Sequence, residues 1–137
     1  MANEFEMPVN YAAEEFVIGT ILMNSMAYGH RTIDYAITYI DENWFFGSFY
    51  QNVFTVVKNF RKDHKDINKM DVGQYMVENE MGDASDIYRS INQITKFCSE
   101  DAMFWRFVKL IERLHWQREQ YKLVEYLVRN IGGGANG

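Results

Sequence analysis

A chain of 137 residues with 47% hydrophobic and 24% charged side chains is sized for one domain with a real core. Ten Phe, nine Tyr and three Trp exclude a disordered chain, and a net charge of -5 argues against bulk nucleic-acid binding, which depends on neutralising phosphates. The lone Cys98 excludes an internal disulfide, suits a reducing compartment and reads most simply as a small buried apolar residue.

Met1 to Asn10 forms a short flexible lead-in, acidic where a signal peptide is basic, with Pro8 discouraging helix before it. Asn10 is placed to cap a first helix over Tyr11–Asn24, with Ala13, Phe16, Val17, Thr20, Ile21 and Asn24 on one face. Gly19 inside it costs about 1 kcal/mol against Ala, a cost that close approach of another helix would explain. The apolar run Phe16 to Met23, broken by Gly19 and Thr20, is too short to span a membrane. A second helix, His30–Ile40, buries Ile33, Ala36, Ile37 and Ile40. The aromatic turn Asp41 to Gly47, with Trp44, Phe45 and Phe46, is too apolar for solvent and is expected to fold inward as a plug.

Ser48 is a plausible cap for a third helix to Lys62, with Phe49, Val53, Phe54, Val56, Val57 and Phe60 inward. Lys58, Arg61 and Lys62 collect at its end, with Lys65 just beyond, where cations meet the negative end of the helix dipole. Asp71 is expected to cap a short fourth helix, Val72–Met81, closed by Gly82. A fifth runs from Ala84 or Ser85 to Cys98 on Ile87, Ile91, Ile94 and Phe97.

The sixth helix dominates the chain. Ser99 to Asn130 contains neither Gly nor Pro, and Ser99 with Glu100 and Asp101 makes a good helix start. The glycines at Gly132 are expected to stop it and begin a flexible tail. Met103, Phe107, Leu110, Leu114, Gln117, Tyr121, Val124 and Val128 keep a 4-3 spacing, a heptad seam polar only at Gln117. Phe104, Val108 and Ile111 widen it in the first half, whereas Tyr121, Val124, Leu127 and Val128 narrow it between Arg118, Glu119, Lys122 and Glu125. A narrow seam with charged flanks suits one partner helix. At 1.5 Å per residue the segment spans roughly 48 Å, more than the ~37 Å diameter of a compact domain this size, so its C-terminal turns should project. The alternative is a helix lying wholly on its own bundle. Every periodic segment repeats at 3.6, so the fold class is all-α: a compact six-helix domain over residues 11–131 between the lead-in (1–10) and the tail (132–137).

No constellation for catalysis stands out. Glu112 and His115 share a helix face as E-x-x-H, but a di-iron bundle needs a second such pair and further carboxylates. Three His and one Cys make no convincing zinc site, and no P-loop, G-x-S-x-G or EF-hand pattern occurs. No cofactor or metal is expected. Trp105 and Trp116 share a further face of the long helix with Lys109 and Glu112, either a partner-binding strip or ordinary packing on the preceding helix.

Several segments resemble the N-terminal domain of DnaB-type replicative helicases. Ala13-Glu14-Glu15-Phe16-Val17-Ile18-Gly19, then Leu22-Met23, is similar to that family's A-E-x-x-V-L-G…L-M opening. Phe45-Phe46 and Val53-Phe54 match its F-Y…I-F at equal spacing. Ile67-Asn68, Met70, Asp71-Val72 and Met76 resemble its I-D-x-[IV]-T-L…L segment, with Asp71 at the Thr capping position, and Arg118-Glu119 falls at the R-E of its long helix. The likeness runs from about residue 12 to 130. It implies a small helical domain whose long helix begins an α-hairpin, with such domains pairing through hairpins and offering a docking surface to primase or loader. Neither the hairpin's second helix nor the RecA-like motor lies in this sequence, so ATP hydrolysis and unwinding do not carry over. The chain is then either a piece of a longer helicase or a stand-alone, phage- or plasmid-like relative.

The expected function is a cytoplasmic, non-enzymatic interaction protein of DNA replication. It would form a homo-dimer or higher oligomer and dock helicase, primase or loader through Leu114, Gln117, Tyr121, Val124, Leu127 and Val128. The alternative is a stand-alone helicase loader or modulator touching DNA weakly through Lys58, Arg61, Lys62 and Lys65.

Overall fold

The structure, a computed structural model, describes residues 7–24, 29–96 and 101–136. Among them are six α-helices and no strand: α1 (Tyr11–Asn24), α2 (Gly29–Tyr39), α3 (Ser48–Lys62), α4 (Lys69–Glu78), α5 (Ala84–Ile94) and α6 (Asp101–Asn136), with a 3-10 turn at Glu42–Trp44. The all-α expectation holds, and α1, α2 and α3 fall within one residue of the bounds read from the sequence. Phe97, Cys98 and the expected Ser99 cap lie outside the described residues.

α1 is the central post. Asn10 caps it as expected, its Oδ1 accepting from the Ala13 amide at 3.0 Å. The helix buries Ala13, Glu14, Val17, Ile18, Thr20, Ile21 and Leu22, and it packs on α2, α3, α5 and, most extensively, α6. At about 100° per residue these positions cover roughly 200° of its circumference, so the single face read from the sequence is too narrow, while Ala12 and Met23 stay exposed on the other side. The apolar faces assigned to α2, α3 and α5 are buried at Ile33, Ala36, Ile37, Ile40, Val53, Phe54, Val56, Val57, Phe60, Ile87, Ile91 and Ile94, with Phe49 half-buried.

Boundaries shift where two capping residues compete. Asn68, not Asp71, caps α4: its Oδ1 accepts from Met70 N at 2.8 Å and Asp71 N at 3.4 Å. Starting there puts buried Ile67 before the cap and buried Val72 at the fourth helical position, the arrangement of a hydrophobic staple. Gly73 then faces α5, where a Cβ would lie 2.8 Å from the Tyr88 ring. α5 ends at Ile94 rather than Cys98, with Thr95 Oγ1 turning back to donate to Ile91 O at 2.9 Å. α6 does not stop at Gly132 but continues to Asn136. Glycine lowers helix propensity without forbidding helical dihedrals, and this run holds no proline to force a turn.

The aromatic turn is a plug in two of its three rings. Trp44 and Phe45 are buried, Trp44 edge-on to Tyr39 and Phe45 against Phe54 at 5.3 Å. Phe46 points outward, 47% exposed, beside Tyr11. The turn is held from both sides by charged side chains taken out of water. Glu14 on α1 is 1% exposed, and its carboxylate accepts from the Phe46 amide at 3.0 Å and the Gly47 amide at 2.9 Å. Arg118 on α6 is 4% exposed and donates to Trp44 O and Pro8 O, each at 2.9 Å, with its guanidinium over the Phe46 ring. Gly47 is therefore the residue before α3, and Ser48 is its first helical residue rather than its cap. Its amide belongs to Glu14, and a Cβ there would lie 2.6 Å from the Tyr50 ring.

Removing either charge leaves buried partners without a mate. Glu14→Ala and Arg118→Ala should each destabilise the fold by about 3 kcal/mol, and the double variant by clearly less than their sum, read from urea denaturation. Burial pushes the Glu14 carboxyl above its ordinary 4.5, against the pull of the Gly47 and Phe46 amides and of Arg118. A raised folded-state value means stability that is complete below 4.5 and is lost as pH climbs through the raised value. The advantage of the wild type over Glu14→Gln should accordingly shrink as pH rises across that window, in denaturation curves taken stepwise toward neutrality.

Candidate functional site: the two faces of the long helix

α6 is 36 residues long, about 54 Å, and contacts α1 and the 3-10 turn. Its inward stripe is Phe104, Val108, Ile111, His115 and Arg118, a 4-3 repeat one residue out of step with the expected seam. Phe104, Val108 and Ile111 are buried with Arg118 closing the row, and His115 is half-buried. The expected seam residues Met103, Phe107, Leu110 and Leu114 are half-buried along the edge of this stripe, the Phe107 ring tilted against Phe16 with centroids 4.8 Å apart.

Beyond Arg118 the helix changes character. The same 4-3 count continues through Lys122, Glu125 and Arg129, all charged. Lys122 pairs with Glu119 at 3.3 Å and Arg129 with Glu125 at 2.6 Å. At about 100° per residue, Val124, Leu127 and Ile131 lie roughly 150–170° from the inward stripe, with Leu123 and Val128 flanking them at about 110° on either side. These five are exposed, from 45% at Val124 to 71% at Ile131. Of the remaining seam residues, Gln117 is exposed on the same outward side, Tyr121 is 40% exposed at its edge, and Leu114 sits where the two faces meet. The apolar surface of the helix thus crosses from one side to the other as it leaves the body. Leu123 and Ile131 were not assigned to the seam from the sequence, although extending the count from Phe104 as far as Arg129 would have located them by exclusion.

The two tryptophans separate. Trp105 packs at its edges on Tyr35, Tyr39 and Phe104, between 5.1 and 5.9 Å, so it belongs to the body. Trp116 is 56% exposed and borders a cleft of about 370 Å³ between α6 and the aromatic turn, lined also by Phe46, His115, Arg118 and Lys122. The E-x-x-H pair is divided likewise: Glu112 Oε1 accepts from Tyr39 Oη at 2.9 Å, with Lys109 close to both, while His115 packs edge-on against Trp116. Among the described residues no cluster of His, Cys, Asp or Glu could hold a metal ion, and no helix is long and apolar enough to cross a membrane.

The basic cluster is largely engaged. Arg61 reaches across to α2, its Nε donating to Asp34 Oδ1 at 2.8 Å and Nη2 to Oδ2 at 3.2 Å, and its side chain is 8% exposed. Lys58 lies 3.9 Å from Glu42 and over the Phe54 ring, and Lys65 over Phe60. Lys62 and Lys65 are exposed. The cleft of about 410 Å³ beside them carries Asp34 and Glu42 as well as cations, so its potential is mixed.

Comparison with known proteins agrees with this architecture. No individual curated protein sequence matches the chain. The crystal structure of the N-terminal domain of DnaB helicase from Mycobacterium tuberculosis is similar in fold, with a TM-score of 0.75 over 96% of this chain and 91% of that one at 14% identity. The family of DnaB-like helicase N-terminal domains matches residues 6–113, from the lead-in through the proximal part of α6. The chain therefore belongs to the DnaB-like helicase N-terminal domain family, a non-catalytic domain of the replication helicase.

Proposed function

We propose that this domain works by association, pairing with a second copy and docking replicative helicase, primase or loader through the outward face of α6. The single observation that carries this reading is the crossing of the apolar stripe. Leu123, Val124, Leu127, Val128 and Ile131, with Tyr121 at their edge, face away from the body, while the side turned toward it is closed by ion pairs. Contiguous exposed aliphatic side chains on one helix face mark an interaction site. Their spacing and charged flanks fit a helical partner. A cytoplasmic location goes with the replication role. The test is sedimentation over a micromolar concentration range. Val124→Asp and Leu127→Asp should each weaken self-association at least tenfold with unchanged far-UV circular dichroism. Association equal to wild type in both variants would refute the reading.

A second reading, a stand-alone helicase loader or modulator with weak DNA contact at the end of α3, draws support from the exposure of Lys62 and Lys65. Because Arg61 is committed to Asp34, the contact would fall on Lys58, Lys62 and Lys65. Titration of labelled single-stranded DNA at low salt should then show binding that weakens steeply as salt rises and is lost in Lys62→Glu/Lys65→Glu. No binding at low salt rules the contact out.

A further inference from the structure

The outward side of α6 carries a second surface, N-terminal to its apolar face. Arg106 and Arg113 are seven residues apart, so they share that side two turns from one another, about 10 Å along the axis. Both are exposed. Every other arginine whose side chain is described has an oxygen partner: Arg61 on Asp34, Arg89 on Asp86, Arg118 on two carbonyls, Arg129 on Glu125. Arg106 and Arg113 have none among the described residues. Their helical neighbours three and four positions away include Lys109 and no acid, a like-charge arrangement that weakens an isolated helix. Lys109 lies between them and leans toward Tyr39 and Glu112. In a chain with 19 acids against 14 lysines and arginines, Arg106 and Arg113 have no carboxylate within one helical turn along their own ridge, and Glu112 and Glu119 lie at the edge nearer the body.

We propose that the outward face of the proximal half of α6, centred on Arg106 and Arg113, docks an acidic helix of a partner protein, with exposed Trp116 one turn on as its apolar anchor. Charge complementarity sets the sign of the partner. Guanidinium groups at a helical repeat match carboxylates placed at a helical repeat, and arginine forms bidentate pairs with them. A protein helix fits better than a phosphate polymer because Glu112 and Glu119 border the face, and an extended polyanion would run against them. The surface is distinct from Leu123 to Ile131, so self-association through that segment and docking here fail independently.

The test uses the full chain and two labelled synthetic peptides of equal composition, one a helix with glutamates along one face and leucine at its edge, the other with the same residues scrambled around the helix. Fluorescence anisotropy at low salt should show the patterned peptide binding at least fivefold tighter than the scrambled one, and weakening toward half-molar salt. Arg106→Glu/Arg113→Glu should weaken the patterned peptide at least tenfold, and Arg106→Gln/Arg113→Gln by an intermediate factor, with circular dichroism and sedimentation unchanged. No binding at low salt, equal affinity for the two peptides, or equal binding to wild type and variant would overturn the proposal. Arginine-dependent binding of a single-stranded oligonucleotide tighter than that of the patterned peptide would also overturn it, by making the face a nucleic-acid surface.

Discussion

The short turn between α2 and α3 is held by two charges that have both left water. Glu14 takes the amides of Phe46 and Gly47, and Arg118 takes the carbonyls of Trp44 and Pro8. An acid from the first helix and a base from the last thus bond to the same few residues of backbone, which would otherwise enter the core with polar groups unpaired. Burial raises the Glu14 carboxyl and lowers Arg118, while the attraction between them works against both shifts. Such an arrangement is a weak net source of stability, because desolvation offsets much of the attraction, but it tolerates little displacement. It fixes which side of α6 faces the body.

That orientation determines the surface of the whole helix. Once Arg118 is turned inward, the 4-3 repeat that brought Phe104, Val108 and Ile111 to the core delivers Lys122, Glu125 and Arg129 to the same side further along. These charges keep their water, paired within the helix. The aliphatic residues of the distal half are left on the opposite side, where none of the described residues covers them. A helix that changes its apolar side along its length covers its own domain with the proximal part and leaves the distal part for the association proposed above.

Membership of the DnaB-like N-terminal family rests on residues 6–113, whereas the fold likeness to the Mycobacterium tuberculosis domain extends over 96% of the chain at 14% identity. The architecture is therefore shared much more widely than the side chains. Glu14 and Arg118, which lie in the two segments that resemble the family's A-E opening and the R-E pair of its long helix, meet in space at the aromatic turn. The outward face of α6 carries its exposed arginines proximally and its aliphatic residues distally.

Helix number, helix order and most of the core were legible in the sequence, because a 3.6-residue apolar repeat is a local property that any buried face must display. Asn10 as a cap and the long helix outgrowing its body were legible for the same reason. The partners of Glu14 and Arg118 were not: nothing local distinguishes Glu14 from neighbouring Glu15, or Arg118 from an ordinary seam flank, until the turn is folded between them. Caps placed one helical turn apart, Asn68 and Asp71, were decided by which start sends Val72, Gly73 and Met76 inward. The sequence by itself determined that α6 is amphipathic over most of its length. Only tertiary structure decided the side, since a heptad read one residue out of step looks equally regular, and the buried guanidinium of Arg118 selects between the two readings.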